Sequence, residues 1–299
     1  MLNKRPVFII AYAYGGSNII LNLLRSHPDL CSPRGELNEV FKGKPDESPA
    51  TRAAKILRYL PVLLAEGRDV FDFNDWTPRR PFKASSQRRV DRILFDEKLR
   101  ARDESQNYYK SKGVPYTAEE IRASRLLSKN LDGLTFLTPE FSRMYPDATF
   151  FGLVRNGFAV CEGHLRRGHK LEAIAADYEK GCRLMLEHSR AIPRYRIVRY
   201  EDMIRQPLET LKELYRHADL DIGRVPKVRL EDKKVIGKGG EHEMSRPGEW
   251  KQMFWYGLDE FSKHFRLDAN ENQIRRLTDA QKAAILKHCR PSLEQLGYL

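Results

Sequence analysis

The chain has 299 residues, of which 41% are hydrophobic and 10% aromatic, and this excludes a disordered, collagen-like or low-complexity protein. Its 53 lysines and arginines against 41 acids give a net charge of +12, which favours anionic partners such as nucleotides or acidic polysaccharides. No apolar run approaches the roughly 18 residues that cross a bilayer, and the four cysteines are widely spaced with no Cys-x-x-Cys, which fits a reducing compartment and a cytoplasmic location. In chain order, an apolar run from Val7 to Ile10 precedes Gly15 and Gly16. From Ser17 onward, Ile20, Leu21, Leu23 and Leu24 recur at helical spacing. This reads as strand, glycine turn and helix, with Ser17 as the cap and His27-Pro28 as the end. Thr51 to Leu64 reads as a second helix.

From Trp76 to Lys112 the chain is rich in Arg and Lys, with apolar Val90, Ile93, Leu94 and Leu99 at amphipathic spacing. The stretch reads as a basic helical insertion, either a solvated face or a wall over an anionic acceptor. Thr149 to Val154 is a strong strand followed by Arg155-Asn156-Gly157, and Leu171 to His188 is a helix. Arg194 to Val198 is a third strand leading into Tyr200, and Pro207 opens a helix to His217. Lys227 to Trp250 reads as irregular, and Asp279 to Leu296 as a closing helix. Alternating strands and helices imply an α/β fold with a mostly parallel sheet covered on both faces. We expect one domain over residues 1–299, with the helical insertion at about 45–120.

Ligands of such sheets bind beyond the carboxyl ends of the strands. There the segment AYAYGGSNII supplies glycines and a helix start, which can cradle an anion with backbone N–H groups. It is not a Walker A loop, because no Gly-Lys-Ser/Thr follows. The eight histidines form no HExxH and no grouping with cysteine, so no metal is expected. No GxSxG elbow or nucleic-acid-binding pattern is present either.

The segment FIIAYAYGGSNIILNLLRSHPDL resembles the first loop and helix of the superfamily of sulfotransferases that use 3′-phosphoadenosine 5′-phosphosulfate. The resemblance continues in order through LLSKNLDGLTFL, YPDATFFGLVRNGFAVCEGHLRR, RIVRYEDMIRQPLETLKELYRHADLDI, SRPGEWKQMF and HCRPSLEQLGYL. It covers most of the chain outside about 45–120, and the tyrosylprotein and bacterial carbohydrate sulfotransferases look closest. The resemblance implies a P-loop-like sulfotransferase fold and a cradle formed by Tyr14, Gly15, Gly16, Ser17 and Asn18. It assigns Arg155 to the 3′-phosphate, Lys129 to the transferring group, and Tyr200 and Arg246 to the nucleotide. Two positions depart from the pattern: Tyr14 stands where an Arg or Lys is usual, and Gly163 where a phosphate-binding serine is usual.

The implied reaction moves a sulfuryl group to a hydroxyl and releases adenosine 3′,5′-bisphosphate, with no metal. Glu36 is the expected base, with Glu39 second and His164 a further candidate. A saccharide hydroxyl is the expected acceptor, and no nucleic-acid partner is implied. The competing readings are a degenerate, non-catalytic binder of a nucleotide or anionic glycan, and a P-loop-like kinase of a small metabolite.

Overall fold

A computed structural model describes residues 2, 5–101, 117–232 and 252–299. Five strands form one parallel sheet in the order β2-β3-β1-β4-β5: β1 (Val7–Ala11), β2 (Leu30–Cys31), β3 (Arg125–Leu131), β4 (Thr149–Val154) and β5 (Tyr195–Arg199). The central strand β1 is buried on both faces, which explains its unbroken apolar run. Its side chains alternate between two cores. Phe8 and Ile10 join one with Phe141 and Phe150, whereas Val7, Ile9 and Ala11 join the other with Ile20, Leu24 and Phe151.

The helices in order are α1 (Ser17–Arg25), α2 (Leu37–Lys42), α3 (Pro49–Glu66), α4 (Ala84–Arg100), α5 (Ala118–Ala123), α6 (Thr138–Met144) and α7 (Gly157–Leu165). They continue with α8 (Leu171–Ala191), α9 (Tyr200–Arg205), α10 (Pro207–His217), α11 (Ala269–Ile274) and α12 (Asp279–Gln295). The expected strands and long helices are present to within a few residues. Gly16, in the left-handed conformation, caps α1, and Ser17 is its first helical residue instead of the cap. Lys227 onward is not irregular throughout. Lys227–Asp232 forms β6, which pairs antiparallel with β7 (Gln252–Gly257) in a separate two-stranded sheet.

The basic stretch after Trp76 divides its charges. Lys98 is fully buried and donates to the carbonyls of Arg122 and Ser124, at 3.1 and 2.6 Å. Arg79 donates to the carbonyls of Val70, Asp72, Asp75 and Thr77. Arg88, Arg89 and Arg92 lie exposed on α4. Among the described residues, no helix is long and apolar enough to cross a membrane.

Because β1 is central and parallel to both neighbours, strand order reverses about it. The loop between β1 and α1 therefore opens at the carboxyl edge of the sheet, where such folds leave a crevice.

Candidate functional site

The β1–α1 loop is held in a conformation few side chains adopt. Tyr14 has φ of 62° and Gly16 φ of 90°, both left-handed. At Gly16 a Cβ would also overlap the ring of Tyr200, so this position needs glycine twice over. The turn brings Asn18, on the first turn of α1, toward the end of β3.

On β3, Leu127 and Leu131 belong to the core beside α1, and the two-residue period of a strand puts Lys129 on that same face. Its Nζ donates to Asn18 Oδ1 at 2.8 Å and pairs with Glu36 Oε1 at 2.9 Å. The Lys129 side chain is only 8% exposed, and Glu36 is 29% exposed. A buried ammonium needs such partners, because its desolvation is otherwise uncompensated. Glu36 stands at the cap of α2, where its backbone N–H is accepted by Glu39 Oε2 at 2.8 Å. Glu39 is thus occupied in holding Glu36. Burial pushes its carboxyl up from the usual value.

Arg155 leaves β4 into the same crevice at 6% exposure. Its Nε donates to Asn270 Oδ1 at 2.8 Å, one terminal nitrogen donates to the Tyr14 carbonyl at 3.0 Å, and the other to Gln273 Oε1. The guanidinium lies 4.2 Å from the Tyr200 ring centroid. Asn270 and Gln273, both on α11, turn their amide nitrogens to Glu201 and Glu162 respectively. Two neutral amides therefore stand between the guanidinium and the two carboxylates. Burial lowers the Arg155 pKa, while Tyr200 and Glu201 act against this.

The two departures from the family pattern meet in space. A Cβ at Gly163 would lie 3.4 Å from Tyr14 Cβ and 3.5 Å from Gln273 Nε2, ordinary contact distances, so Gly163 borders both residues. The Tyr14 ring lies under the Arg167 guanidinium at 3.7 Å and edge-on to His164 at 4.8 Å. His164 Nε2 is 3.2 Å from the Ala13 carbonyl, and burial lowers its pKa to about 4.

Asn18, Glu36 and Lys129 thus form one cluster, and Tyr14, Gly16, Arg155 and Tyr200 a second, with the loop between them. Arg246 lies outside the described residues. Four residues were not foreseen. Asn270 and Gln273 sit on a short helix with no distinguishing pattern. Asp132 and Asp177 face a cavity of about 330 Å³ beside the loop, walled in part by Tyr12, Phe73 and Trp76. Asp132 follows β3 directly, with φ of 49°, and its Oδ1 accepts the Ala13 N–H at 3.0 Å. The Asp-Gly pair after a strand was the available signal. A hollow of about 390 Å³ bounded by Ser85, Arg88, Arg89, Asp91 and Arg92 lies on α4 and holds none of these groups.

A family model described as "Sulfotransferase family" matches residues 6–223. No curated protein matches the chain. Among solved structures, it is similar to the sulfotransferase domain from the curacin biosynthetic pathway, at 17% identity and a TM-score of 0.53, over 100% of this chain and 99% of that one. It is also similar to the sulfotransferase domain from the Synechococcus PCC 7002 olefin synthase, at 18% identity and a TM-score of 0.48, over 97% and 95% of the two chains. A mouse sulfotransferase complexed with PAP matches at 11% identity and a TM-score of 0.44, over 98% and 85%.

Proposed function

The chain belongs to the sulfotransferase family, and from that premise we propose that it transfers a sulfuryl group from 3′-phosphoadenosine 5′-phosphosulfate to a hydroxyl, with a saccharide as the acceptor class. The observation that carries the reading is the buried Lys129 between Asn18 and Glu36, at the mouth of a glycine loop on the sheet's carboxyl edge. The residues fit the donor: Gly16 lets the loop backbone approach an anion, and Arg155 presents a guanidinium beside the Tyr200 ring.

The donor supplies an activated sulfuryl group whose leaving group is a phosphate. Glu36 takes the acceptor's proton as the acceptor oxygen forms its bond to sulfur. The sulfur–oxygen bond to the 5′-phosphate breaks, and the electron pair leaves with adenosine 3′,5′-bisphosphate. An ammonium has three N–H donors. Among the described residues Lys129 uses two, on Asn18 and Glu36, which leaves the third for charge developing on the leaving oxygen. Gly15, Gly16, Ser17 and Asn18 cradle the 5′ end, Arg155 and Tyr200 hold the remainder of the nucleotide, and Tyr14 contributes its carbonyl to placing Arg155. Asn270 and Gln273 hold the guanidinium plane. The four cysteines are buried and unpaired, which fits the cytoplasm.

Calorimetric titration with adenosine 3′,5′-bisphosphate, ADP and ATP tests the donor. Preference for the first is expected, and equal or absent binding would remove the reading. The competing reading, a non-catalytic binder, draws on Tyr14 and Gly163. It predicts tight binding of adenosine 3′,5′-bisphosphate with no transfer to any hydroxyl acceptor.

A further inference from the structure

The cavity beside the loop has an unusual balance of polar groups. Several of the hydrogen-bond donors that line it are engaged within the protein. Tyr12 Oη donates to the carbonyls of Tyr178 and Asp177, at 2.5 and 3.2 Å, and Tyr178 Oη to that of Arg155 at 2.8 Å. His164 Nε2 is on the Ala13 carbonyl. Two carboxyls also line the space: Asp177, and Asp132 with one oxygen on the Ala13 N–H.

Neither carboxyl has an ion-pair partner among the described residues. The nearby charges do not supply one. Lys180 donates to the Trp76 carbonyl at 2.6 Å and lies 5.4 Å from the Phe136 ring, while Lys170 is exposed at the start of α8 and pairs with neither acid. His164 is held neutral, and His169 turns its ring to His164 at 5.3 Å. Glu36, on the α2 side, adds negative charge. Burial, with the charges of Glu36 and Asp177, pushes the Asp132 carboxyl up to about 7, and burial also raises Asp177. Lys170 lines the cavity too, yet both carboxyls stand there without an ion pair among the described residues.

Part of the remaining wall is aromatic. Tyr12 stacks between Trp76 and Tyr178, with centroids at 6.2 and 5.3 Å, and Phe73 adds a further ring. Aromatic rings and unpaired carboxylates together attract an organic cation, whereas a neutral polyol would leave both carboxyls without an ion pair.

Resting on the sulfotransferase reading above, we infer that the acceptor bears a positively charged amine near its hydroxyl, as in an amino alcohol or amino sugar, and that Asp132, Asp177 and the surrounding aromatic rings recognise that amine. Asp132 lies between the two regions: it holds Ala13 on the loop and directly follows β3, the strand that carries Lys129. A ligand anchored there directs its hydroxyl toward Glu36.

Calorimetry with matched probes tests this in the presence of adenosine 3′,5′-bisphosphate: choline against its neutral isostere 3,3-dimethyl-1-butanol, and glucosamine against glucose. The cationic member of each pair is expected to bind about tenfold tighter or more, as one charge pair near a protein surface supplies. Asp177→Asn and Asp132→Asn should each remove most of that preference, and Asp177→Asn should leave affinity for adenosine 3′,5′-bisphosphate unchanged. Equal affinity within the pairs, no binding of any probe, or a preference that survives both substitutions overturns the inference. Failure of adenosine 3′,5′-bisphosphate to bind would instead remove the donor reading, and probe titrations without nucleotide would still decide between cation and neutral ligand.

Discussion

Lys129 and Glu36 lock each other in place at 2.9 Å, with the lysine almost fully withdrawn from water. Glu36→Gln keeps the shape and removes the proton acceptor. Turnover should fall about a hundredfold or more while affinity for adenosine 3′,5′-bisphosphate stays within about twofold. Retained turnover would move the base to Glu39 or His164. Gly16→Ala imposes a side chain on a left-handed backbone and on the Tyr200 ring. Loss of nucleotide binding and a stability cost of about 1–3 kcal/mol are expected, read by calorimetry and urea unfolding.

Asp132 carries the pH dependence of this region. Its folded value of about 7 lies above the ordinary 3.8, so the folded chain holds an extra proton between those values and loses stability as pH rises through them. His164 and His188, both lowered to about 4, act oppositely, and their penalty is relieved as pH rises from about 4 to 6.5. Asp132→Asn should therefore raise the melting temperature relative to the parent chain, with a gap that widens from about pH 4 to about pH 8. A constant gap would show that Asp132 is not desolvated. Glycines and lone charges beside strands were readable as candidates because their chemistry is local. The amide partners of Arg155 were not, since they lie more than a hundred residues away and belong to residue types common on any helix surface.

Between α3 and α4, Glu97 gathers three cations. Lys55 approaches at 3.7 Å, Arg58 at 2.5 Å and Arg100 at 2.7 Å, and Lys55 also meets Glu47 at 2.9 Å. The Lys55 and Glu97 side chains are 4% and 5% exposed. Glu97→Ala leaves Arg58, 22% exposed, without its carboxylate, while Lys55 keeps Glu47, and a loss of about 1–3 kcal/mol in chemical unfolding is expected. A change below about 1 kcal/mol would mean that water reaches the pair. Both helices were legible from apolar spacing, but their joint was not: periodicity locates a buried face and does not say which charges cross it. The same limit applies to β3, whose Arg-Leu-Leu-Ser-Lys-Asn-Leu run breaks the apolar pattern because Lys129 serves the crevice. It applies again to β6, whose partner β7 begins twenty residues after its end.

Over the molecule as a whole, the sheet order β2-β3-β1-β4-β5 could be anticipated in kind but not in arrangement. Handedness and parallel pairing follow from alternating strands and helices, whereas neighbour choice depends on how the two apolar cores fill. The excess of positive charge acts at this scale too. Adenosine 3′,5′-bisphosphate should raise the melting temperature with increasing concentration. Its dissociation constant should rise several-fold when salt increases from about 50 to 300 mM, because the attraction of an anion to a basic chain is screened. A salt-independent constant would place binding on hydrogen bonds alone.

The amides of α11 hold the Arg155 guanidinium with no carboxylate hydrogen-bonded to it among the described residues, because Glu162 and Glu201 bond to Gln273 and Asn270 instead. The arrangement works like an ion exchanger loaded with no counter-ion: an arriving dianion has dipoles to rotate but no carboxylate to evict. On the donor reading proposed above, a bisphosphorylated nucleoside is expected to bind more tightly than its monophosphorylated counterpart, and replacing Gln273 by glutamate should erase that difference by installing a permanent occupant.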